Sequence, residues 1–254
     1  MPDAHDQIRS FYRELRQSWG PQHWWPAQTR FEVILGAYLT QNTSWTNVER
    51  ALANLRAKRV ISVAGIREVP LRTLERLIRP SGYFRQKARR LKLFVKFLDE
   101  HHAGSLDQLF CRPTAQLRER LLQLEGVGPE TADSILLYAG GHEVFVVDAY
   151  TRRILERHAI LPAGAEYEQI RQLFEVALRP APDAVVPHPS EISPAQRNGA
   201  AHSPSRASRL RRSPLAQTYN EMHALIVGVG KDFCKKSQPQ CDGCPLQRFL
   251  SVSK

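Results

Sequence analysis

The stretch LEGVGPETAD, Leu124 to Asp133, decides the fold. Helical patterns flank it: Leu117, Leu121 and Leu122 precede it, and Ala132, Ile135, Leu136 and Ala139 repeat the apolar spacing after it. Gly126 and Gly128 permit backbone conformations that other residues resist. Pro129 suits the first position of a helix, where its missing N–H costs nothing. The amides of such a hairpin, aided by the dipole of the following helix, suit an oxyanion such as phosphate. Yet Glu130, an acid, stands just inside that helix, a place the helix N-terminus favours by about 0.3–1 kcal/mol.

Working outward, the chain reads as all-α. Helices are expected over 5–18, 29–40, 45–57, 71–78, 84–101, 115–123, 129–139, 149–158, 165–178 and 217–229, separated by Pro, Gly and small polar clusters. Only EVFVV, Glu143 to Val147, looks strand-like, and it is too isolated to build a sheet. Pro180 to Pro214 holds seven of the seventeen prolines and almost no large apolar side chains, so it reads as a disordered basic insert (180–214). Its Arg206, Arg209, Arg211 and Arg212 suit either a passive insertion or non-specific DNA contact.

The balance of charge is +11 over 254 residues, and the part outside Ala181–Gln217 still carries +8. Such a surface suits a polyanion, most often nucleic acid, with a membrane surface as the other option. No run of about 18 apolar residues is present, so no membrane span is expected. The first twenty residues read as an amphipathic helix rather than a signal peptide. Three of the four cysteines crowd together near the end, which suggests a metal site in a reducing compartment, hence a cytoplasmic protein.

The longer string LxGVGxxTAxxIL, followed by VFVVDAYTRRIL, resembles the helix-hairpin-helix and aspartate of the endonuclease III superfamily of DNA glycosylases. GAYLTQNTSWTNVERAL, PSGYFRQKARRL and the cysteine cluster extend the likeness over most of the chain. The resemblance implies two helical domains with DNA across the cleft between them. One is a six-helix barrel over 22–142 containing the hairpin; the other combines 1–21 with 143–254. It also implies a monomer acting on damaged double-stranded DNA.

Asp148 alone reads as a helix N-cap; the resemblance makes it the catalytic carboxylate. An anion there stabilises an oxocarbenium ion at C1′ of the deoxyribose and orients the attacking water. Base release requires flipping, and the family positions that fill or flank the vacated stack match Gln41 and Tyr83. Gly126, Val127, Gly128 and Thr131 belong to the matched hairpin and its DNA grip. Trp24, Trp25 and Pro26 read either as a packed corner or, with Trp45, as an aromatic pocket resembling that of the bacterial 3-methyladenine branch. Such a pocket suits an alkylated, positively charged base through stacking and cation–π attraction.

Lyase members of the superfamily carry a lysine at the position matching Glu130, and a carboxylate cannot form the imine that their strand cleavage needs. Glu130 therefore implies a monofunctional glycosylase. Two rivals stand beside it: an endonuclease III-like glycosylase and lyase on oxidised pyrimidines using another amine, and a non-catalytic DNA-binding module. Cys234, Cys241 and Cys244 fall at C-x6-C-x2-C, as in members with a [4Fe–4S] cluster, but the position of the fourth cysteine is Leu250. A cluster with a non-cysteine or exogenous fourth ligand, another metal such as zinc, and a packed remnant are all consistent with that incomplete set.

Overall fold

The computed structural model describes residues 3–22, 24–25, 27–180 and 212–250. Among them the chain is helical throughout, with no strand, as the all-α reading expects. The helices are α1 (Ala4–Trp19), α2 (Arg30–Leu39), α3 (Trp45–Ala57), α4 (Val63–Glu68), α5 (Leu71–Leu77), α6 (Phe84–His102), α7 (Leu106–Phe110), α8 (Thr114–Leu122), α9 (Pro129–Ser134), α10 (Ala149–Arg157), α11 (Tyr167–Leu178) and α12 (Pro214–Asp232). The short helices α4 and α7 were not expected; each is a turn or two held by a serine cap, Ser62 to Gly65 and Ser105 to Gln108. No helix among the described residues is long and apolar enough to cross a membrane.

The chain divides into two compact units, Ala27–His142 and Met1–Pro26 with Glu143–Lys254. In the first, α2 is the centre: every residue from Phe31 to Leu39 is buried, and α3, α6 and α9 pack around it. A buried acid on this helix, Glu32, pairs with Arg56 and accepts the Gln28 amide at 2.9 Å. The helical run after the hairpin widens into a π turn over Ile135–Gly140, which Arg30 clasps by donating to the Ala139 carbonyl at 2.7 Å.

In the second unit α1 packs on α11 and α12, and α10 on α12. Gly230 gives α12 the clearance for that contact, since a Cβ there would lie 2.1 Å from the Tyr150 ring. The strand-like Val144–Val147 is a buried connector rather than a strand. Its amides go to side chains: Phe145 N–H donates to Glu175 at 3.0 Å and Val147 N–H to the Tyr167 hydroxyl at 3.3 Å. That satisfies the backbone without a partner strand, while Phe145 stacks on Phe174 at 4.2 Å. Residues 181–211 of the expected insert lie outside the described residues.

Across the hairpin, Arg118 of α8 donates to both oxygens of Asp133 of α9, at 2.7 and 3.1 Å, with Asp133 fully buried. Removing one partner of such a pair leaves a poorly solvated charge. Asp133→Ala is expected to cost about 3 kcal/mol in urea unfolding, whereas Glu130→Ala, on the exposed face of the same turn, is expected to change stability by less than about 1 kcal/mol.

Candidate active site

Asp148 is the N-cap of α10, and its two oxygens have different surroundings. Oδ1 accepts the Thr151 amide at 2.8 Å and the Thr151 hydroxyl at 2.9 Å, closing a capping box. Oδ2 makes no hydrogen bond among the described residues and faces His223 Nε2 at 3.7 Å. The aspartate side chain keeps 14% of its surface exposed, and the imidazole 5%. Burial holds the His223 pKa below the usual imidazole range, against the pull of Asp148. At neutral pH the histidine is therefore uncharged and brings no positive charge against the carboxylate.

His223 belongs to a polar stripe on α12 that the sequence reading missed. Asn220, Glu221 and His223 are all buried on α12 among mostly apolar buried neighbours. Three buried polar residues in four positions of an apolar helix were the available signal. Glu221 accepts the Gln22 amide at 2.7 Å and pairs with Arg16 at 3.5 Å, and Asn220 donates to the Trp24 carbonyl at 2.7 Å. The stripe thus holds the tryptophan segment and Asp148 against one helix.

Trp24 and Trp25 meet edge to face with ring centroids 5.4 Å apart, Trp25 buried and Trp24 half-buried. Lys231 places its ammonium 5.8 Å from the Trp24 ring, a cation on an aromatic face. Pro26 lies outside the described residues. Trp45 belongs to the other unit, at the first position of α3, where its indole donates to Glu49 at 2.9 Å.

In the hairpin, Gly126 has φ of +73°, and a Cβ there would lie 2.0 Å from Arg90 Nε. Only glycine satisfies both the left-handed backbone and the guanidinium laid against it. Gln41, in the turn after α2, braces the hairpin: its amide donates to the Gly126 carbonyl and the Thr131 hydroxyl, each at 2.9 Å, and its oxygen faces Arg90 Nη1 at 3.4 Å. Arg90 was not singled out from the sequence, where it is one of several arginines in α6. Val127 and Thr131 are buried and anchor the turn, whereas Gly128, Pro129 and Glu130 are exposed. Nothing lies within 4 Å of a Cβ built on Gly128, so its backbone is open to an incoming group.

Tyr83 is 65% exposed and sits in the left-handed region (φ 44°) at the start of α6. Beneath it Lys87 is buried and donates to the Ser81 carbonyl at 2.7 Å and the Leu39 carbonyl at 2.9 Å. The ammonium thereby ties the Tyr83 turn to the segment leading to Gln41. Burial, with Arg90 nearby, lowers the Lys87 pKa to about 8, but the amine is enclosed and engaged with backbone.

Cys234, at the end of α12, is buried; Cys241 and Cys244 are half-buried. Arg157 Nη1 donates to Cys234 Sγ at 3.1 Å, and Arg153 donates to the Cys234 carbonyl at 2.6 Å. Burial raises the Cys244 thiol pKa, and the two neighbouring cysteines add to the effect. Among the described residues no three His, Cys, Asp or Glu side chains are gathered as a single metal ion requires.

Residues 35–180 match the family of HhH-GPD superfamily base excision DNA repair proteins. The chain is 40% identical over 245 residues, 96% of each sequence, to "Putative DNA repair glycosylase MJ1434" of Methanocaldococcus jannaschii. Its structure is similar to that of the H. pylori 3-methyladenine DNA glycosylase MagIII bound to 1,N6-ethenoadenine, with a TM-score of 0.66, 28% identity and coverage of 89% of this chain and 96% of that one. It also shares the fold of a trapped endonuclease III–DNA covalent intermediate, with a TM-score of 0.69, 21% identity and coverage of 97% and 95%. The chain belongs to the HhH-GPD superfamily of base excision DNA repair proteins, and its activity is that of a DNA N-glycosylase.

Proposed function

We propose that the protein is a monofunctional glycosylase that flips an alkylated base, 3-methyladenine-like, out of double-stranded DNA and hydrolyses its N-glycosidic bond. The observation that carries this reading is the division of labour at Asp148. Oδ1 fixes the side chain in the helix cap, and Oδ2 faces a buried, uncharged imidazole at 3.7 Å. That oxygen stabilises the oxocarbenium ion as the base departs and accepts a proton from the water that attacks C1′. The leaving base needs little help, because alkylation at a ring nitrogen already gives it positive charge.

The remaining residues serve binding. The open backbone of Gly128 and the first-turn amides of α9 grip a phosphate, with Gln41, Arg90 and Thr131 shaping the turn. Gln41 acts there by bracing the hairpin, and exposed Tyr83 enters or flanks the emptied stack. The aromatic faces of Trp24 and Trp25 select the flat cationic base; the ethenoadenine bound to the H. pylori relative supports a purine-sized ligand. Strand cleavage is disfavoured, since Glu130 cannot form an imine and Lys87 is enclosed. The three cysteines hold a structural [4Fe–4S] cluster, which supplies rigidity to the α12 end and no electron to hydrolysis.

Chromatography of bases freed from methylated duplex DNA tests the assignment. Wild-type protein is expected to release 3-methyladenine, and Asp148→Asn to lower the rate by about a hundredfold or more while duplex binding is kept, because asparagine still caps α10. Absence of alkylated adenine among the products would refute the substrate class. Gly126→Ala is expected to strain the backbone by roughly 1–3 kcal/mol and displace Arg90. Fluorescence anisotropy with undamaged duplex should then show binding weakened about tenfold; unchanged affinity would detach the hairpin from DNA.

A further inference from the structure

Three sulfurs and one imidazole share a cavity within the unit formed by Met1–Pro26 and Glu143–Lys254. Cys234, Cys241, Cys244 and His158 line it, with Arg157 and Leu250. Leu250 stands where a fourth cysteine would complete the spacing, and it offers no donor atom. His158, the residue after α10, does. It is 7% exposed, and its Nδ1 is buried with no hydrogen bond among the described residues.

Phe11 meets the ring edge to face at 5.0 Å. In the neutral tautomer protonated at Nε2, the lone pair sits on Nδ1 and is free for ligation. An orphaned, nine-tenths buried donor on the wall of a cavity with three thiols is otherwise costly.

The kind of group follows from the donor set: three thiols at C-x6-C-x2-C with one imidazole on the same cavity suit an iron–sulfur cluster. Arg157, donating to Cys234 Sγ at 3.1 Å, adds the hydrogen bond to sulfur and the positive charge that an anionic cluster favours.

We propose that His158, through Nδ1, is the fourth ligand of an iron–sulfur cluster whose other ligands are Cys234, Cys241 and Cys244. The inference rests on the cluster reading given under the proposed function and is independent of Asp148. Replacing one thiolate by a neutral imidazole removes a negative charge from the cluster and raises its reduction potential.

The test uses the full chain reconstituted anaerobically with ferrous iron and sulfide, reduced, and studied by pulsed electron paramagnetic resonance with and without ¹⁵N-histidine. Wild-type protein is expected to hold iron and sulfide in equal amounts and to show a strongly coupled nitrogen that shifts with the label. His158→Cys should keep the iron and sulfide, lose that nitrogen and titrate at a lower potential. A chain that binds no iron and sulfide, a cluster without a coupled nitrogen, or a coupling that persists in His158→Cys would each overturn the assignment. Base release measured on the same samples separates the two failures: release without a cluster contradicts the His158 ligand and leaves the glycosylase reading standing.

Discussion

The structure turns on a carboxylate that performs two tasks with two oxygens. Asp148 Oδ1 is engaged with the Thr151 amide and hydroxyl, so the side chain cannot rotate away without uncapping α10. Oδ2 is held 3.7 Å from a buried histidine that burial keeps uncharged. A charged partner at that place would neutralise the anion, and a solvated place would weaken its field. On the proposed reading capping and catalysis are served by the same arrangement, because the cap fixes the oxygen that the reaction would use.

The same economy appears in the DNA grip. A strongly basic chain places an acid, Glu130, at the hairpin where a cation would be expected. The geometry explains how phosphate binding survives that choice. Gly126 lets the backbone turn left-handed beneath Arg90, Gln41 ties the Gly126 carbonyl to Thr131, and the exposed Gly128 backbone faces outward. On the proposed reading neutral amides do the gripping, so the residue at 130 is relieved of that duty, and its carboxyl removes the imine chemistry instead.

Much of this was legible in the sequence. Helix periodicity located α1, α3, α6, α8, α10 and α11 to within a few residues, because each buries one apolar face, and α2, buried all round, was legible as an apolar run. The hairpin was legible because Gly126 and Pro129 have narrow conformational uses. Two features were not. Val144–Val147 is apolar enough for a strand, yet Glu175 and Tyr167 take its amides, a long-range event that no local pattern encodes. His223 and Arg90 were missed because their meaning comes from what faces them, Asp148 Oδ2 and the Gly126 backbone. His158 was hidden for the same reason: it is 76 to 86 residues along the chain from the thiols whose cavity it shares.

The central claim is that Asp148 acts through water and that no amine of this protein attacks the sugar. Borohydride reduction during reaction with a duplex containing an abasic or alkylated site tests it most directly, with the strands then resolved under conditions that preserve abasic sites. The account predicts an intact strand bearing an abasic site and no protein–DNA adduct, for wild type and for Lys231→Ala alike. An efficient covalent complex that disappears when a lysine is replaced would contradict it.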